Sequence, residues 1–347
     1  MVHKKLYMLS LWMCIAAAAL CQQQTFTNPL LPSGADPWSL YQDGYYYYTN
    51  TMQDSIVVWK TKNLAYLATA EKKTIFVPPP NSAYSKELWA PEIHFINNKW
   101  YVYFAADDGN NNNHHMYVLE NNSKDPFSGN WKLKGRLASR KEDKWAIDGT
   151  VFKYKGSAYF VWSGWKGDKN GQQDIFISKM KNPWTLKGKR VRISSPVLAW
   201  EMDGDLNDPD NPPHVNVNEG PQPLINNDKL FMIYSASGCW TDSYALGMLS
   251  FTGGKLLDSA AWKKAPLPVF KKSVVNGVYA PGHNSFFKSP DGTQDWILYH
   301  ANAEAGQGCG SHRSPRAQPF TWNIDGTPNF GEPVKPGIPV PIPSQKN

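Results

Sequence analysis

The chain has 347 residues, 41% of them hydrophobic and only 19% charged, with a formal net charge of +7. That much apolar residue excludes a disordered protein and suffices for one large domain or two ordinary ones. The positive charge is spread without a dense Lys/Arg run and no nucleic-acid motif accompanies it, so nucleic acid is not an expected partner.

Residues 1–21, MVHKKLYMLSLWMCIAAAALC, pair a basic start with a short apolar stretch ending in small residues. This is the pattern of a secretory signal, too short to span a membrane. A secreted or periplasmic protein follows, with lipid attachment at Cys21 as the alternative; Leu20 is a poor residue for that processing. No other segment is apolar enough to span a membrane. Cys14 and Cys21 belong to this leader, which leaves Cys239 and Cys309 as a candidate disulfide or as two buried thiols.

From residue 22 onward the sequence reads as one domain of short strands. ADPWSLYQDGYYYYTN (from Ala35) alternates, turns at Asp43-Gly44 and enters a very aromatic second strand. APEIHFINNKWYVYFAA (Ala90), IDGTVFKYKGSAYFVWSGW (Ile147), VNEGPQPLINNDKLFMIYSAS (Val217) and PGHNSFFKSPDGTQDWILYHA (Pro281) repeat the pattern. IVVWKT, HMYVLENN, DIFISKM and YALGMLSF read as third strands. NWKLKG, PWTLKG, AWKKAP and TWNIDG read as fourth segments. Polar heads Asp36, Glu92, Asp148, Glu219 and His283 are separated by 56, 56, 71 and 64 residues. A four-stranded unit of that length, repeated five times, predicts an all-β, five-bladed β-propeller with four antiparallel strands per blade.

The first strand of a propeller blade lines the axis, so heads at one phase converge at one end of it. Carboxylates crowded there repel one another and are desolvated, which spreads their pKa values. One protonated and one ionised carboxyl are what glycosidic cleavage needs: an acid for the leaving oxygen and a base for the water. Trp38, Trp89, Trp162 and Trp165 flank the acids and are candidate platforms for sugar rings. Glu92 is a candidate either for hydrogen-bonding the sugar or for supporting its blade. His114 and His115 follow an Asn run and read as solvated loop residues, as does DGDLNDPDN (Asp203–Asn211).

The ordered set ADP, WAPE, IDG, NEGP and PGHNS resembles the motifs of family 43 glycoside hydrolases, five-bladed propellers that invert the anomeric centre. The resemblance covers nearly all of the chain beyond the leader. It implies that Asp36 is the general base, Asp148 the residue that tunes the acid and orients the sugar, and Glu219 the general acid. His283 resembles an axial histidine that sits by calcium or another hard ion, although a lone imidazole is a weak calcium ligand; the chemistry itself needs no cofactor. SHRSPRAQPF resembles segments that send an arginine to the sugar, and Arg316 is favoured over Arg313. The arabinofuranosidase branch is the best match. β-D-Xylosidase and endo-arabinanase activities are the alternatives, and a glycan-binding propeller without chemistry is the non-enzymatic one. A carbohydrate substrate and a monomer are expected.

Overall fold

The computed structural model describes residues 24–138, 142–206 and 212–345. The expected leader, including Cys14 and Cys21, lies outside them, as do residues 207–211 of the acidic loop. After β1 (Thr25–Thr27), blade 1 is built from β2 (Trp38–Gln42), β3 (Tyr45–Thr49), β4 (Ile56–Thr61) and β5 (Glu71–Phe76). Blade 2 holds β6 (Lys86–Ile96), β7 (Lys99–Asp107), β8 (His115–Asn121) and β9 (Lys132–Arg136). Blade 3 holds β10 (Ala146–Tyr154), β11 (Ser157–Trp165), β12 (Gln172–Asn182) and β13 (Thr185–Ser194). Blade 4 holds β14 (Asn216–Asn226), β15 (Lys229–Ala236), β16 (Ala245–Phe251) and β17 (Trp262–Lys264). Blade 5 holds β18 (Tyr279–Lys288), β19 (Asp295–Asn302), β20 (Ser314–Trp322) and β21 (Pro328–Asn329), and β22 (Pro339–Pro341) follows.

Neighbouring strands within each blade pair antiparallel. The first strands touch in sequence: β2 on β6, β6 on β10, β10 on β14, β14 on β18, and β18 back on β2. That closed circuit makes the fold a five-bladed propeller. TWNIDG proves to be the end of the third strand of blade 5 and a turn, and the fourth strand is the short β21 beyond it.

The aromatic second strands are buried on both faces because each blade is covered by its two neighbours. In β7 every residue after Lys99 is buried. Five apolar clusters fill the seams; Tyr47, Ile56 and Val58 meet Ile93, Trp100 and Val102 between blades 1 and 2, for example. Each large side chain so buried contributes about 1.5–3 kcal/mol. The ends of the chain seal the last seam. β1 pairs with β22, Phe26 and Val340 join the cluster between blades 5 and 1, and the Asn28 amide bonds both N–H and C=O of Ala317. None of the helices among the described residues is long and apolar enough to cross a membrane.

Candidate active site

The inner strands start at the same end of the axis where second strands turn into third strands. One cleft of about 390 Å³ therefore collects residues from both sources. Asp36, Asp148, Glu219 and His283 come from inner-strand heads. Thr51, Asn111, Trp240 and Arg313 come from the loops between second and third strands.

Each head carries a dipeptide whose first residue has positive φ: Asp36 (56°), Ala90 (43°), Asp148 (56°), Gly220 (54°) and His283 (43°). In blades 2 to 5 the register against the second strand slips across these residues, as in a β-bulge. A bulge re-aims a side chain, and left-handed backbone at a non-glycine residue costs about 1–3 kcal/mol. Functional side chains thus turn inward at the cost of strain. At Gly220 a Cβ would lie 3.3 Å from Nδ1 of His283, so the residue after Glu219 is small for a spatial reason as well.

This alignment corrects the expected phase of Glu92. The residue equivalent to Asp36 and Asp148 in blade 2 is Ala90; Glu92 lies two residues further along, level with Trp38, Thr150, Gln222 and Ser285. Glu92 is 4% exposed and outside the cleft. One of its oxygens accepts from Gln222 Nε2 across the axis and the other meets His94 Nε2 at 2.9 Å, so it supports the ring of blades. Trp38 is displaced for the same reason. Its indole N–H donates to the Ile93 carbonyl at 2.9 Å and its ring packs against His94.

The other expected platforms divide. Trp89 lines the cleft, stacked on His114 with centroids 4.0 Å apart. Trp162 lies in the seam between blades 2 and 3, between Phe160 and Phe176. Trp165 stands behind the wall, stacked on Trp145 at 4.9 Å and 12°; Trp145 itself faces the cleft. His114 is fully buried against Asp107, not solvated, whereas His115 is partly exposed. Asp205 of the acidic loop pairs with His214 at the surface.

Arg316 is buried in β20, cross-strand from Tyr299 and away from the cleft. Arg313 is the arginine that arrives, with Nη1 3.2 Å from Oδ1 of Asp36. Sequence reasoning set Arg313 behind Arg316 and missed Trp145 and Trp240, all three of which sit on loops without periodicity. The legible signal is position: Arg313 and Trp240 lie in loops between second and third strands, which open at the acid end, and Trp145 directly precedes the inner strand β10. Cys239 and Cys309 form a disulfide, Cα–Cα 5.2 Å, in the cleft wall.

Asp36 is 8% exposed. Thr51 Oγ1 donates to its Oδ2 at 2.6 Å, and its Oδ1 faces His283 Nδ1 at 3.2 Å and His300 Nδ1 at 3.5 Å. Burial alone would push its carboxyl up, but His283, Arg313, His300 and the Thr51 hydroxyl together hold it well below the usual carboxylate range. Burial also pushes His283 and His300 below 6.5 and so leaves them neutral at pH 7. Arg313, which cannot lose its proton, is the lasting source of the attraction.

Glu219 behaves oppositely. Burial pushes it up to about 7, against the Tyr244 hydroxyl, which donates to Oε1 at 2.7 Å; Asp36 adds to the rise and Arg313 opposes it. Asp148, which accepts from the Gly220 N–H at 3.1 Å, is raised well above 3.8 by burial and then by Glu219 and Asp36. One atom each of Asp148, Glu219 and His283 lie within 4.8 Å of one another. A hard ion there would find one imidazole nitrogen and two carboxylates, far short of the six to eight oxygens calcium takes. It would also lower the two carboxyl pKa values that burial raises.

A second cleft of about 340 Å³, lined by Phe95, Ile96, Phe152 and Met180, holds no carboxylate. The buried carboxyls able to do acid and base chemistry therefore gather at the first. A closed propeller whose axial cleft gathers Asp36, Asp148 and Glu219, with one carboxyl held low and two raised, has the groups that acid and base catalysis of hydrolysis requires. More particularly, the chain belongs to glycosyl hydrolases family 43, whose profile matches residues 26–328. It is 41% identical over 93% of its length to an extracellular exo-α-(1→5)-L-arabinofuranosidase of Streptomyces avermitilis, of which it spans 66%. With a protein of the same name from Streptomyces chartreusis it shares 38% over 80% of its length and 82% of the relative's. The crystal structure of an α-L-arabinofuranosidase from Lactobacillus brevis superposes with a TM-score of 0.82 at 36% identity, covering 90% of this chain and 98% of that one.

Proposed function

We propose that the protein is an exo-acting α-L-arabinofuranosidase that removes terminal arabinose from plant polysaccharides or oligosaccharides with inversion. The observation carrying this reading is the opposed tuning of Asp36 and Glu219 in one cleft. The names of the relatives supply the sugar. In this reading Asp36, ionised, takes a proton from water as that water attacks the anomeric carbon. Glu219 gives its proton to the departing glycosidic oxygen, and Asp148, buried beside it in the same cluster, tunes the acid and orients the sugar. Trp89, Trp145 and Trp240 supply apolar walls for the ring faces. The cleft of about 390 Å³ lies within the size range of ligand sites, and the exo mode comes from the names of the relatives.

The chemistry runs on side chains alone, and dialysis against EDTA leaves the rate unchanged; loss of activity restored by calcium would contradict this. Export from the cytoplasm fits the leader-like residues 1–21 and the Cys239–Cys309 disulfide. The discriminating experiment is a panel of aryl glycosides. Arabinofuranoside cleaved at least ~10²-fold faster than xyloside supports the assignment; the reverse order replaces it with a xylosidase. On an arabinofuranosyl disaccharide, Asp36→Asn and Glu219→Gln each lose at least ~10³-fold, the scale of an essential acid or base.

A further inference from the structure

Tyr244, immediately ahead of β16, is 1% exposed and donates to Oε1 of Glu219 at 2.7 Å. Its ring lies parallel to that of His300, centroids 5.8 Å apart and planes within 4°. His300 is itself fixed, because Nδ1 accepts the Asp36 N–H at 3.0 Å, which puts the ring's own proton on Nε2. On the inner strand of blade 5, Gly282 clears the space; a Cβ there would fall 2.1 Å from the Tyr244 ring. Burial and the nearby carboxyls keep the phenol protonated far above pH 10, so it is a donor throughout the working range.

A carboxylic acid has one oxygen that carries the proton and one that only accepts. We propose that Tyr244, backed by His300, is a positioning residue for hydrolysis: it engages Oε1 of Glu219 and thereby assigns the transferable proton to Oε2. The proposal rests on Glu219 being the acid. In the step, the proton on Oε2 passes to the glycosidic oxygen as that oxygen's bond to the anomeric carbon breaks. The water oxygen bonds the anomeric carbon and its released proton goes to Asp36. Glu219 is left as a carboxylate, and its hydrogen bond from Tyr244 strengthens as that charge appears, so the donor favours the transition state over the ground state.

The groups facing Glu219 are Tyr244 from its own blade, Asp148 from blade 3, Asp36 from blade 1, and His283 and Arg313 from blade 5. Tyr244 faces Glu219, Asp148 and His300. Of these only the Tyr244 hydroxyl is removed by Tyr244→Phe. That variant of the full chain is assayed across pH on 2,4-dinitrophenyl and methyl α-L-arabinofuranosides. The methyl glycoside, whose leaving group needs the proton, slows about tenfold or more; the dinitrophenyl glycoside, which does not, slows far less. Loss of a donor that favours the carboxylate moves the alkaline limb of kcat/KM upward by about one pH unit. Equal slowing of both substrates, or an unmoved limb, overturns the proposal.

Should Tyr244→Phe not fold, 3-fluorotyrosine at the same position gives a stronger donor and moves the limb downward; an unmoved limb there is equally fatal. Glu219→Gln separates the two levels of the argument. If it cleaves the methyl glycoside at the unmodified rate, the acid assignment has failed. If it is inactive and the Tyr244 readouts stay flat, only the positioning role has failed.

Discussion

Replacing Glu219 by Gln exchanges activity for stability, and does so in a pH-dependent way. Folding raises this carboxyl from 4.5 to about 7, so the folded chain binds the proton more tightly than the unfolded one. Below about pH 4.5 both states hold the proton and the site costs nothing. Between 4.5 and 7 the unfolded chain releases it first, and stability declines as pH rises. Above 7 both are ionised and the full penalty stands, about 1.4 kcal/mol for each pKa unit, or roughly 3 kcal/mol in all. Glutamine carries no charge to desolvate, and its amide oxygen can still accept from Tyr244. Urea unfolding of Glu219→Gln and of the unmodified chain at pH 5 and pH 8 measures the difference. The variant gains up to about 3 kcal/mol at pH 8 and well under half of that at pH 5. An equal effect at the two pH values, or destabilisation at both, would refute the claim that burial of this carboxyl raises its pKa.

Arg313→Met removes the permanent cation 3.2 Å from Asp36. At an effective dielectric between 80 and 20 that contact is worth about 1.3–5 kcal/mol, which raises the Asp36 pKa by about one to four units. The acid limb of the activity profile moves to higher pH accordingly, whereas a uniform loss at every pH would deny Arg313 this role. Lys264→Met removes the cation bonded at 2.6 Å to fully buried Glu201, behind the strand that carries Glu219, and leaves that carboxyl only neutral donors: the Val197 and Leu198 N–H groups, the Asn218 amide and the Tyr234 hydroxyl. Denaturant unfolding then shows a loss of up to about 3–5 kcal/mol, the cost of removing one partner of a buried ion pair; an unchanged midpoint would contradict it. Trp145→Ala, which removes a cleft wall but no catalytic group, raises KM more than it lowers kcat in steady-state kinetics.

The ring of five blades was legible because hairpins announce themselves. Asp-Gly and Asn-Asn turns with aromatic second strands state both the strand period and the burial on both faces. Depth along the axis was not legible. Alternation gives the face a side chain takes, but the bulged dipeptide at each head adds a residue that alternation does not register. Glu92 and Trp38 therefore seemed level with the acids while lying a layer below them. The cleft walls were hidden for a different reason. Arg313, Trp145 and Trp240 come from loops, whose conformations follow from contacts far away in sequence. The Asn run before His114 suggested solvent, yet that histidine is fully buried beneath Trp89. Arg316, favoured from its neighbours, is instead buried within β20 opposite Tyr299, whereas Arg313 lies in the loop just ahead of that strand and so reaches the cleft.

The most direct test of the two-carboxylate mechanism is the anomer first released. Proton NMR of an α-L-arabinofuranoside digest, recorded before mutarotation, shows β-arabinofuranose if Asp36 delivers water to the face opposite the Glu219 proton. α-Arabinofuranose as the first product would mean a covalent intermediate and a different division of labour among Asp36, Asp148 and Glu219.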